Sequence, residues 1–75
     1  MRPRTSIINN EIINCIEQLV RFLKPGDVFR KPMGNTRYRF GHHLPGLDIA
    51  ICENLETRMT EEIHSNSPVW RLVAI

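Results

Sequence analysis

The sequence predicts an α+β fold, with an N-terminal amphipathic helix packed on a four- or five-stranded antiparallel meander. Three observations carry that expectation. Apolar residues recur at helical spacing up to Leu23, the run Lys24-Pro25-Gly26-Asp27 breaks the period, and the rest of the chain alternates at the period of strands. The 75 residues are read as one domain, 1–75, with the helix over about 7–23 and the β-rich part over about 27–75.

Within 7–23, Ile8, Ile12, Cys15, Ile16, Leu19 and Leu23 form the helical stripe. Thr5 or Ser6 supplies an N-terminal cap, because a hydroxyl there accepts from the open amides of the first turn. Pro25 and Gly26 stop the helix. Adding Ile13, Val20 and Phe22 widens the apolar arc to about half of the cylinder, more than one sheet face covers. Those three residues are therefore candidates for a protein interface, and a homodimer is expected.

After the stop, 28–31 reads as a short strand and 32–35 as a turn, since Gly34 and Asn35 tolerate positive φ. Residues 36–40 alternate, placing Tyr38 and Phe40 on one face and Arg37 and Arg39 on the other. Residues 41–46 read as a loop or a strand end, and 47–52 as a central strand. The segment 55–64 satisfies both periods: Leu55, Met59 and Ile63 stack as a helix behind an Asn54 cap, or alternate as a strand. A hairpin arm with 54–58 as its turn is favoured, because Ser65-Asn66-Ser67-Pro68 then turns the chain into a buried last strand over 69–75. Trp70 is expected in the core. A small SH3-like barrel is one closure of such a meander.

Composition sets the class. Hydrophobic residues are 41% and charged residues 24%, a globular balance. Cys15 and Cys52 sit in apolar runs and are expected as buried, reduced thiols. The basic start leads into a segment interrupted by Asn9, Asn10, Glu11 and Asn14, unlike a secretory signal, and no run reaches the roughly 18 apolar residues of a membrane span. A soluble, cytoplasmic protein is expected.

The net charge of +2 is unevenly spread. Arg30, Lys31, Arg37 and Arg39 cluster near Phe29 and Tyr38, where arginines contact phosphates and exposed aromatics stack on bases. With His42 and His43 they form a candidate nucleic-acid or anion site. Glu56, Glu61 and Glu62 form an acidic later segment, a candidate protein contact that imitates nucleic acid towards a basic partner. His42-His43 fits no zinc spacing, although on a loop the two could ligate together with Cys52 or His64 as conceivable extra ligands, and no metal or other cofactor is assigned. Phosphate loops, paired carboxylates and nucleophile elbows are absent from the sequence, so no catalytic residue is assigned and an enzyme is not expected.

The segments Pro25-Gly26-Asp27-Val28-Phe29-Arg30 and Trp70-Arg71-Leu72-Val73 resemble a cadence of small barrel-like phage and plasmid proteins; no residue role is carried over from it. The expected function is a small non-enzymatic regulator or inhibitor acting on a larger protein or nucleic-acid machine, of phage or mobile-element type. The alternatives are a direct RNA- or DNA-binding module using the basic strand face, and a dimer that sequesters a small anionic nucleotide.

Overall fold

A computed structural model describes the backbone of residues 2–8 and 11–73 and the side chains of residues 15–73. The described chain is all-β: seven strands form one antiparallel sheet. In chain order they are β1 (Arg2–Ile8), β2 (Glu11–Leu19), β3 (Val28–Arg30), β4 (Arg37–His43), β5 (Ile49–Asn54), β6 (Thr60–His64) and β7 (Pro68–Leu72). The spatial order is β1-β2-β7-β3-β4-β5-β6.

The N-terminal helix is overturned, and with it the α+β class. Its stretch is instead the β1–β2 hairpin, paired from Arg2↔Glu17 to Ile8↔Glu11, and one 3-10 turn at Val20–Phe22. The physical reason lies in residue type. Ile7, Ile8, Ile12, Ile13 and Ile16 are β-branched and lose rotamer freedom in a helix. Between these runs the sequence carries Asn9-Asn10, and Asn is a residue that favours turns. With no helix stripe to cover, the expectation of a dimer loses the argument that raised it. No helix of the described residues is long and apolar enough to cross a membrane.

The later strands follow the alternation. The hairpin reading of 55–64 is the one observed: β5 and β6 pair from Ile49↔His64 to Glu53↔Thr60. On the inner face Val20, Leu23, Phe29, Tyr38, Phe40, Ala50, Cys52, Ile63 and Val69 form the core. Phe29 and Tyr38, opposite each other across β3 and β4, stack with centroids 5.5 Å apart. Gly41 is the extra residue of a bulge in β4, between Phe40↔Cys52 and His42↔Ile51. A Cβ there would lie 2.7 Å from the Ile51 carbonyl oxygen, so the bulge needs glycine.

The sheet curls without closing. Residues 65–67 connect β6, at one edge, to β7, four places away in the sheet, so both strands must reach the same corner. The end of β2 is tied to that corner, where the Val20 N–H donates to the Ser67 carbonyl and the Arg21 N–H to the Ser65 carbonyl. Among the described residues β1 and β6 do not pair, and the sheet keeps two free edges rather than forming a barrel.

Candidate functional site

The basic cluster is largely engaged in structure. Arg30 is only 7% exposed. Its guanidinium lies over the Trp70 ring, 4.1 Å from the centroid. Its Nη1 donates to the carbonyls of Lys31 at 3.1 Å and Gly34 at 2.6 Å. An arginine so placed braces the loop after β3 and has little surface to offer a phosphate. Trp70, expected as core, is half-buried and serves as the platform of that pair.

The other members divide. The Lys31 Nζ sits 5.0 Å from the Tyr38 ring centroid. Arg39 pairs with Glu53 at 3.3 Å, and Arg58 reaches the other oxygen of Glu53 at 3.7 Å, so this patch of the outer face carries both signs. Arg37 is exposed and forms no ion pair among the described residues. His42 and His43 are both exposed near the end of β4, and the His43 ring meets Phe40 at 4.7 Å. Among the described residues no group of three or more His, Cys, Asp or Glu is gathered to hold a metal.

The interface candidates are also scattered. Val20 is fully buried in the core and presents no surface, because the 3-10 turn points it inward. Ile13 is placed in β2 by its backbone, and its side chain lies outside the described residues. Phe22 is 60% exposed. Glu56 and Glu62 are exposed, whereas Glu61 is half-buried and accepts from Asn54 Nδ2 at 2.9 Å and, more distantly, from the Tyr38 hydroxyl at 3.5 Å. Asn54 itself is held by the turn it caps, its Oδ1 accepting from the N–H groups of Glu56 and Thr57.

What the topology does assemble, among the described residues, is an open seam along β6. The hydrogen-bonding parity of β6 can be read from its ends: the Asn54 N–H donates to the Met59 carbonyl, and the Ser65 N–H to the Asp48 carbonyl. Both contacts lie on the β5–β6 register, so the backbone groups of Glu61 and Ile63 face β5 and those of Thr60 and Glu62 face outward. Beside this edge runs a groove of about 400 Å³ lined by Lys31, Pro32, Glu62, Ile63, His64, Ser67, Pro68 and Val69. Its floor is apolar, and its rim carries Lys31, Glu62 and His64.

His64 is fixed at the end of this edge. Its Nδ1 accepts from the Asn66 N–H at 3.0 Å and its carbonyl accepts from the Ser67 N–H at 3.0 Å. Accepting at Nδ1 requires the neutral ring to carry its proton on Nε2. Apart from Lys31, Glu62 and His64, the groove residues carry no functional mark in the sequence. Alternation shows that 60–64 is a strand, but which strand ends the sheet is decided by pairings between distant segments.

Chemically, Cys15 and Cys52 add nothing to either surface. Both are buried, and burial pushes the Cys52 thiol up to about 11, against a backbone hydrogen bond from Gly41 that acts the other way. No protein-family model matches the chain, and no significant match was found among curated proteins or solved structures.

Proposed function

We propose that this protein is a non-enzymatic binding module that takes up an extended segment of a partner protein along β6, acting as a regulator or inhibitor of a larger machine. The observation that supports this reading is the open β6 edge. Its outward N–H and C=O groups lie beside a groove with an apolar floor, the arrangement used when a peptide adds a strand to a sheet. Main-chain bonds supply affinity there, and alternate side chains supply selectivity. Only five residues long, and with Glu62 exposed, β6 resists indiscriminate pairing. A fitting strand places Lys or Arg opposite Glu62, since opposite charges across a strand pair attract.

Selection from a displayed peptide library tests this. Recovered peptides should alternate apolar and polar residues around a basic position, and Glu62→Pro should lose them. Proline at an outward-facing edge position leaves the β5–β6 ladder intact, so the variant still folds. Binding indifferent to Glu62→Pro, or no selected peptide, contradicts the proposal.

Direct nucleic-acid binding through the basic strand face draws less support, because Arg30 is buried and Arg39 is neutralised by Glu53. Arg37 and Lys31 are its exposed cations outside an ion pair among the described residues. Retention on single-stranded RNA or DNA at low salt, lost in an Arg37→Glu variant, would favour it over strand addition.

A further inference from the structure

A second hollow lies beside the 3-10 turn, lined by Gln18, Phe22, Lys24, Asp27 and Arg71, with a volume of about 320 Å³. It shares no residue with the β6 groove. That volume is at the low end of the range typical of small-molecule sites. Its walls are fixed. The turn carrying Phe22 is pinned by the Val20 and Arg21 N–H groups on the 65–67 corner and closed by the Leu23 N–H on the Val20 carbonyl. The Lys24 N–H donates to Asp27 Oδ2 at 2.8 Å, which holds the carboxylate against the backbone.

Arg71 is held from one side. Its Nε donates to Oε1 of the buried Gln18 at 3.1 Å. Among the described residues its terminal nitrogens meet no carboxylate. The hollow thus presents a guanidinium oriented by a buried amide, a nearby ammonium group, and a single carboxylate already engaged by an N–H. At its rim the Phe22 ring stays exposed although it belongs to a turn that buries Val20.

From these features we infer that the hollow binds a small molecule joining a flat aromatic group to an anion, of the nucleoside monophosphate class. Arg71 and Lys24 take the phosphate, for which the planar fork of arginine is suited. Phe22 stacks on the base, and the Gln18 amide and Asp27 offer hydrogen bonds to the base edge or sugar. This site is independent of the peptide-binding reading.

Titration of ¹⁵N-labelled protein with AMP, adenosine and inorganic phosphate tests the inference, with Phe22→Ala and Lys24→Ala as surface variants that leave the core untouched. AMP should shift the amides of Phe22, Lys24 and Arg71 and bind more tightly than either adenosine or phosphate. Each variant should weaken AMP by about tenfold, the loss expected for one stacking or one charged contact. Phosphate binding as well as AMP, or Phe22→Ala without effect, overturns the aromatic half of the site. An absence of shifts at millimolar AMP overturns the whole. Tighter binding of a single-stranded oligonucleotide than of AMP would also overturn it in favour of nucleic acid.

Discussion

Arg30 and Trp70 face each other across β3 and β7, and the guanidinium carbon of Arg30 lies 4.1 Å from the indole centroid. Glu17 occupies the next register position on β2 and Arg37 the next on β4, so this pair sits in the middle of a row that crosses four strands. Arg30→Lys keeps the charge but loses the flat stacking surface and the Nη1 that reaches the Lys31 and Gly34 carbonyls. The variant should be less stable by about 2 kcal/mol, the combined size of a buried cation–π contact and charged hydrogen bonds. Urea unfolding followed by Trp70 fluorescence checks this, and unchanged stability would contradict it.

Gly41 is a second fixed point. The close approach of the Ile51 carbonyl leaves no room for a methyl group, so Gly41→Ala must push β4 and β5 apart at the bulge. A loss of about 1–3 kcal/mol is expected from the overpacking, read as a lower thermal midpoint.

Burial of Cys52 has a pH signature. Its folded thiol titrates near 11, against 9.0 for an unperturbed one. Between these values the unfolded chain has released its proton and the folded chain has kept it. Stability is therefore fully present below pH 9 and falls as pH rises towards 11. The size is of the order of 2 kcal/mol. A Cys52→Ala variant should lose this component of the alkaline decline, and thiol reagents at neutral pH should modify Cys52 only as the protein unfolds.

Asn54 joins the turn to the sheet through three side-chain hydrogen bonds, to Glu56, Thr57 and Glu61. Asn54→Ala leaves the two amides and a half-buried carboxylate without that partner. The expected cost is about 1–3 kcal/mol, with faster amide exchange concentrated in 54–61. Uniform loss of protection across the whole sheet would point instead to a global effect.

Much of the β half was legible because its strands have one wet face and one dry face. Tyr38 and Phe40 alternate with Arg37 and Arg39, and the structure buries the aromatics and exposes the arginines. The front of the chain misled because Ile8, Ile12, Cys15, Ile16, Leu19 and Leu23 fit helical spacing, while Ile7-Ile8 and Ile12-Ile13 are β-branched runs on either side of Asn9-Asn10. That turn signal, weighed above periodicity, pointed to the hairpin.

The site residues were less legible, for a different reason. Arg30 and Arg37 have the same sequence character, yet one is covered by Trp70, which is forty residues away along the chain, and the other is exposed. Glu61 and Glu62 are neighbours, but the strand turns one towards Asn54 and Tyr38 and the other outward. Such outcomes depend on pairings between distant strands. The groove and the hollow have the same origin, each lined by residues from segments far apart in the sequence.

The account rests on β6 having an unoccupied hydrogen-bonding edge, and residue-resolved amide exchange measures it directly. Exchange should be slow at Glu61 and Ile63, which bond to β5, and fast at Thr60 and Glu62, which face outward. Protection of Glu62 equal to that of Ile63 would mean the edge is already paired, and would contradict the account.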